Sequence, residues 1–275
     1  LRVGNPQADL LLAGTTIFDL AALLPERGPV AIERLNARNG QLSIRAEGSA
    51  QALNLDASLA NLALLVPGLP GAATVTGSVR QGSSGYALDL SATAPGGTRA
   101  TIAGTAAADL STADIRVAGV SDAALVNPML RTRSVEGPVN FDLRLNGRPA
   151  LENLSGQVRL PGARLADPNL GLRVENLTGT ADIAGGVVSI DATAAVAAGG
   201  TLRVTGPIDL RGGATSLDLR AELQRVVLRD PNLYETIVDG AVSITGNPAD
   251  GPLVTGEVNL GPTEFRIPTS SLGGH

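Results

Sequence analysis

The sequence predicts an all-β protein with very little helix, built as an elongated stack of repeated strands. Three observations lead to this fold class. Apolar and polar side chains alternate along many short segments, glycine pairs separate these segments, and parts of the sequence recur in order. Strands joined by glycine turns make a meandering sheet, because glycine reaches the positive-φ conformations of tight hairpins.

The alternation has a period of two residues. In residues 139–146, Val139, Phe141, Leu143 and Leu145 alternate with polar side chains. Successive side chains on a strand point to opposite faces, so such a segment has one apolar and one polar face. This pattern is typical of antiparallel or solenoid sheets with one buried side, since a doubly covered sheet shows continuous apolar runs. It recurs in 42–47, 53–59, 86–94, 188–196, 202–210, 217–223, 242–244, 258–260 and 265–267.

Helical signals are few and short. Residues 17–24 have apolar side chains at helical spacing after Thr16, a candidate N-cap. Ser121 would cap a single turn before Pro128. The apolar stretch 62–69 is expected to cap the end of a sheet layer, and contact with lipid is the alternative.

A longer unit repeats along the chain. Its two clearest copies each contain a Pro-x-Leu step, then a glycine expected to open a strand (Gly137, Gly240), then a glycine that ends it (Gly147, Gly246). Such recurrence implies stacked neighbours that bury each other. No linker is visible, so residues 1–275 are predicted to form one continuous module. The sequence starts in mid-pattern without Met, and we expect it to be part of a longer protein.

Composition excludes several function classes. The net charge is −5 and no segment concentrates the arginines, so nucleic-acid binding is not expected. The absence of cysteine excludes disulfides and Cys-ligated zinc. The single histidine is His275, which leaves no residue for a Ser-His-Asp triad. We therefore expect no enzyme activity, no cofactor and no metal.

Carboxylates are the remaining candidates for chemistry, because paired carboxylates cleave polysaccharides. Seven of them, however, occupy polar positions of alternating strands, where a solvated face is the simpler interpretation. The Asp-Pro-Asn steps lack the further acidic ligands of a calcium loop and are predicted to be turns. The seven are Asp89, Asp114, Asp142, Asp182, Asp191, Asp209 and Asp218.

The recurring Gly-x-Val-x-Leu pattern, as in residues 256–260, resembles the long repeat region of TamB and its AsmA-like relatives. The resemblance is greatest in Leu228–Thr236, Val238–Gly246 and Gly256–Pro268, which are similar to the approach to the C-terminal domain of alphaproteobacterial TamB. It implies a long antiparallel sheet curled into a trough, a β-taco or solenoid-like form with an apolar interior. Residues 225–275 would begin the C-terminal domain.

The resemblance also implies a location and partners. The parent protein would be anchored in the inner membrane of a Gram-negative cell, cross the periplasm and meet a TamA-type outer-membrane barrel protein. Its function would be to carry phospholipid, to assist outer-membrane protein assembly and secretion, or both. The cargo, acyl chains of phospholipid or strands of nascent outer-membrane proteins, remains open at this point.

If the sheet curls, its apolar positions line a groove in which an acyl chain gains roughly 0.8 kcal/mol per buried CH₂. The alternatives are a secreted β-solenoid adhesin or passenger domain with a closed core, and a β-helical polysaccharide enzyme. The predicted groove-lining residues are Leu143, Leu145, Val188, Ile190, Leu202, Val204, Leu217, Leu219, Leu223, Val242, Ile244, Val258 and Leu260.

Overall fold

A computed structural model of the chain describes residues 15–23, 31–49, 52–66, 68–82, 84–130, 132–169, 171–230 and 234–265. The described residues form 17 strands, β1–β17, and four short 3₁₀ helices, η1–η4. They belong to two compact units. Unit 1 contains residues 1–129 and 139–158, and unit 2 contains residues 130–138 and 159–275. The predicted all-β class with very little helix is confirmed.

Unit 1 is an antiparallel meander in which each strand from β1 to β8 pairs with the next. Strand β10 then pairs with β8 rather than with β9. The strands are β1 (Ile17–Leu23), β2 (Ala31–Arg38), β3 (Leu42–Ser49), β4 (Ala52–Leu59), β5 (Ala73–Gln81), β6 (Gly85–Ala94), β7 (Thr98–Ala107), β8 (Ala113–Asp122) and β10 (Pro138–Gly147). The helices are η1 (Leu62–Leu64), η2 (Ala123–Met129) and η3 (Leu151–Asn153).

Unit 2 is a second meander with longer strands. Strands β12 to β17 pair antiparallel in chain order, and β11 pairs with the short strand β9. Strand β11 contributes residues to both units. The elements are β9 (Ser134–Glu136), β11 (Leu154–Asp167), β12 (Leu172–Ala184), β13 (Val187–Val196), β14 (Thr201–Asp209), η4 (Arg211–Gly213), β15 (Ser216–Asp230), β16 (Tyr234–Gly246) and β17 (Leu253–Phe265).

The two faces of the sheet differ in burial within each unit. In β10 the apolar side chains from Val139 to Leu145 are half-buried and the polar side chains between them are exposed. In β13 the residues from Val188 to Val196 follow the same alternation. A flat single-layer sheet would expose both faces equally, so each unit is curved toward its apolar face. This confirms the expected antiparallel sheet curled around an apolar interior.

Glycines within strands allow close approach between neighbouring strands. Gly104 in β7 has φ +146° and Gly206 in β14 has φ +134°, backbone conformations that other residues rarely adopt. A Cβ atom at either position would overlap a backbone carbonyl oxygen of the next strand, that of Asp114 or that of Asp218. Such glycines are sites where a sheet bends. Gly240, expected to open a strand, likewise lies inside β16.

The helical spacing of apolar residues in 17–24 does not correspond to a helical turn in the structure. Ile17–Leu23 form β1, and Phe18 and Leu20 lie opposite Ala37 and Leu35 of β2. A single turn of helix is marginal by itself, whereas pairing with β2 supplies backbone hydrogen bonds along the whole segment. The helical spacing of the apolar residues therefore did not determine the local structure. Leu24 lies outside the described residues.

The predicted turn before Pro128 exists, but Ser121 does not cap it. The Ser121 hydroxyl lies 2.7 Å from the hydroxyl of Thr98. The carboxylate of Asp122 instead accepts a hydrogen bond from the backbone N–H of Ala124 at 2.8 Å, at the start of η2. The cap was assigned one residue too early.

Candidate functional site

The apolar face of unit 2 is defined by strand register. Residues directly opposite each other in an antiparallel pair lie on the same face. Leu219 lies opposite Ile244, and Leu217 lies opposite Ile208, which in turn lies opposite Val188. The same register places all the predicted residues of this unit on one face: Val188, Ile190, Leu202, Val204, Leu217, Leu219, Leu223, Val242, Ile244, Val258 and Leu260.

These side chains are shielded to different degrees. From Val188 to Ile244 they are half-buried, which fits a curved face that retains contact with solvent. On β17, Val258 is 44% exposed and Leu260 is 67% exposed. Strand β17 is the last strand of the described residues and pairs with β16. Whether this face holds a ligand stays a prediction.

One end of the apolar face in unit 2 is closed. Val196, Val226 and Val238 are buried against one another, and Leu172 and Leu223 are among the residues that pack on them. This cluster was not predicted from the sequence. Its one local signal is the pair of adjacent valines at 226–227, which breaks the alternation of β15.

Bulges in two strands produce that break. Asn176 in β12 and Arg225 in β15 each have φ +50°, and the strand register shifts at both positions. The backbone N–H of Arg225 donates a hydrogen bond to the carboxylate of Asp239, at 2.8 Å. A bulge adds one residue to a strand and increases its twist, so Leu223 and Val226 both turn to the apolar side.

Unit 1 has a face of the same kind. Leu143 and Leu145 of β10 are half-buried on it, and the aromatic ring of Phe141 approaches Gly119 of β8. At one border the side chain of Met129, from η2, lies over Gly68.

That contact brings η2 next to the loop that follows η1. Gly68 therefore contacts another segment that lies between strands, and the expected cap of a sheet layer by the stretch 62–69 stays a prediction. Val66 and Met129 nevertheless remain 44% and 51% exposed.

The polar face carries ion pairs between neighbouring strands. Arg116 and Arg144 each form two hydrogen bonds with a carboxylate, that of Asp142 at 2.7 and 2.5 Å and that of Asp114 at 2.8 and 2.7 Å. These reciprocal pairs join β8 to β10 and hold their register. In unit 2, Arg203 binds Asp191 in the same way, at 3.2 and 2.9 Å.

The pKa values of Asp114 and Asp209 are lowered, which does not fit a role in acid catalysis. The hydrogen bonds from Arg144 lower the pKa of Asp114. Hydrogen bonds from the side chain and backbone of Arg211 lower the pKa of Asp209 to about 2. A general acid at neutral pH needs a raised pKa, so these two groups act as ion-pair partners.

The described residues contain no group of three or more His, Cys, Asp or Glu side chains arranged to hold a metal ion. In the same part of the chain, none of the helices has the length and apolarity that a membrane crossing requires.

The fold and its faces define a class: a repeat-built all-β protein with an apolar sheet face that is only partly covered. The family comparison identifies the class further. Residues 190–274 match the family model described as the TamB C-terminal domain, which supports the resemblance found in the sequence. No curated protein and no solved structure matches the chain.

TamB proteins form a non-enzymatic family of transport and assembly modules, and they take part in outer-membrane biogenesis of the Gram-negative envelope. The matched segment includes the apolar face of unit 2 from Ile190 of β13 to β17.

Proposed function

We propose that the chain is a non-enzymatic conduit and scaffold of the cell envelope. In this role it carries phospholipid, assists outer-membrane protein assembly and secretion, or both, together with a TamA-type barrel protein. The observation that carries the proposal is the apolar face of unit 2, which is half-buried from Val188 to Ile244 and which, from Ile190 onward, lies in the segment that matches the TamB C-terminal domain. A filled core would bury these side chains fully.

The physical chemistry of the face suits a sliding cargo. An acyl chain gains roughly 0.8 kcal/mol for each CH₂ that leaves water, which is similar to its gain in a bilayer. Transfer from membrane to face therefore has little net driving force, and the chain can move along the face. The ion pairs on the opposite face, such as that of Arg203 with Asp191, keep that side hydrated.

Nascent outer-membrane protein is the second proposed cargo, because a strand of such a protein could add to an edge of the antiparallel sheet. Unpaired backbone groups at a sheet edge can bind an incoming strand by hydrogen bonding.

By family membership the protein would act in the periplasm, as part of a protein anchored in the inner membrane that reaches the outer membrane. We further propose that residues 1–275 act as one continuous module, with the C-terminal domain starting near residue 225.

The test compares two adjacent positions of β15. A photo-crosslinking amino acid replaces either Leu219, which is half-buried on the apolar face, or Arg220, which is exposed on the polar face. Cells that express the protein are irradiated, and mass spectrometry identifies the adducts. We expect phospholipid at position 219 and none at position 220.

Other outcomes separate the alternatives. Adducts of outer-membrane protein at position 219 would make nascent protein the cargo. Crosslinks at position 219 that reach only other residues of the same chain would mean a closed core, and the conduit would be rejected in favour of a closed β-solenoid.

A further inference from the structure

A hollow of about 360 Å³ lies on the polar face of unit 2, over the strands β13, β14 and β15. Its volume falls in the range of about 300–1,000 Å³ that is typical of sites for small ligands. Asn176 of β12 lines one side of it, and Ala194 and Leu202 also border it. Strand register places the other lining residues in two adjacent rows: Thr193, Arg203 and Glu222, and Ala195, Thr201 and Gln224.

Bulges in two strands border this hollow. Asn176 in β12 and Arg225, which follows Gln224 in β15, both have φ +50°, and the register of each strand shifts there. Bulges interrupt the regular ladder and redirect side chains, often beside functional sites. The two bulges lie on opposite sides of the β13–β14 hairpin, so they interrupt the polar face where the hollow lies.

Ion pairs keep the two charged side chains of the lining away from its floor. Arg203 forms two hydrogen bonds with Asp191, and Arg220 donates one to Glu222. Asp191 and Arg220 belong to the next row of the sheet, on the side away from Ala195. The short side chain of Ala195 therefore stays exposed, and both charges of the lining are compensated within the sheet.

Hydrogen-bonding groups without a protein partner surround this floor. The side chains of Asn176, Thr201 and Gln224 are exposed, and none of them forms a hydrogen bond with another described residue. Glu222 accepts the bond from Arg220 through Oε1, which leaves Oε2 as an acceptor. A carboxamide offers two donors and an acceptor oxygen, and a hydroxyl group both donates and accepts. With one guanidinium and one carboxylate in its lining, the hollow favours a neutral ligand that is rich in donors and acceptors.

We propose that this hollow binds one unit of a neutral saccharide. Saccharide hydroxyl groups donate and accept at the same atom, so they match both carboxamides and carboxylates. The carboxamides of Asn176 and Gln224 bind hydroxyl groups of the sugar, and Oε2 of Glu222 accepts a hydrogen bond from another. The methyl group of Ala195 contacts the C–H face of the ring. The hollow lies on the face opposite the apolar face, so this inference does not depend on the proposed conduit.

The experiment titrates the 275-residue chain with maltotriose, tri-N-acetylchitotriose and inorganic phosphate, and NMR measures each dissociation constant. Asn176→Gly deletes one carboxamide and leaves a residue that adopts a positive φ easily. Gln224→Leu deletes the other carboxamide at nearly constant size. The control is Gln41→Leu, the same change at an exposed position of unit 1 outside the hollow. Circular dichroism checks that each variant is folded.

We expect at least one of the two saccharides to bind with a dissociation constant on the order of 1 mM. Asn176→Gly and Gln224→Leu should each raise that constant about five- to tenfold, because each removes a hydrogen-bonding group from the site. Gln41→Leu should leave it unchanged.

Three results would overturn the proposal. The first is the absence of binding of both saccharides at about 10 mM. The second is an equal dissociation constant for the original chain and the variants Asn176→Gly and Gln224→Leu. The third is tighter binding of phosphate than of either saccharide, with a loss in Gln224→Leu, which would make the hollow an anion site.

Discussion

Replacing Gly206 with alanine should strongly destabilise unit 2. Gly206 has φ +134°, and a residue with a side chain held in such a conformation costs about 1–3 kcal/mol. Its Cβ atom would also overlap the carbonyl oxygen of Asp218 and lie 3.0 Å from Cα of Leu219. The backbone of β15 must then move, and such overpacking costs about 1–3 kcal/mol more. We expect a total loss of about 2–6 kcal/mol.

Urea unfolding followed by far-ultraviolet circular dichroism measures this loss. With an m-value of about 3 kcal/mol/M, the midpoint should fall by about 0.7–2 M. The control is Gly162→Ala on β11, where a Cβ atom would meet no atom within 4 Å and φ is not in the positive range. That variant should stay within about 0.5 kcal/mol of the original protein. Equal midpoints for the two variants would refute the argument that backbone geometry at Gly206 requires glycine.

Two further predictions concern the closed end and the polar face. Val226→Ala truncates a side chain that is 2% exposed and should lower the free energy of unfolding, measured by thermal unfolding, by about 2 kcal/mol. The control Val254→Ala, at a position that is 58% exposed, should lower it by less than about 0.5 kcal/mol. Similar losses for the two variants would contradict the buried cluster around Val226. Because its pKa is lowered from 3.8 to about 2, ionised Asp209 favours the folded state above pH 3.8, and this contribution is lost as the pH falls toward about 2. Arg211→Gln should raise the titration midpoint of Asp209, measured by carboxyl NMR, toward its ordinary value; an unchanged midpoint would exclude Arg211 as the cause.

Much of the candidate site could be predicted because alternate residues of a strand lie on the same face, and this rule needs only the local sequence. Leu217 and Leu219 are two residues apart, so any strand that contains both places them on one face. The same rule assigns Val242 and Ile244 to one face of the next strand. The pairing of these strands was expected from their order in the chain, and the observed register aligns Leu219 with Ile244.

Other features could not be read in this way. Residues 17–23 have the spacing of a helix, yet pairing with β2 makes them a strand. Gly240 was expected to open a strand, yet it lies within β16 with φ +149°, where the neighbouring backbone of β17 approaches it closely. In both cases the outcome depends on a strand that is distant from the local pattern.

The sequence by itself determined the all-β class, the two unlike faces of each strand and the residues of the apolar face, because these follow from the covalent alternation of side chains. Only the tertiary structure decided that β10 pairs with β8, that a bulge at Arg225 turns Val226 inward, and that Leu260 remains exposed on β17. The physical reason is that backbone hydrogen bonding and burial depend on which strands are neighbours, and residues far apart in the chain decide that.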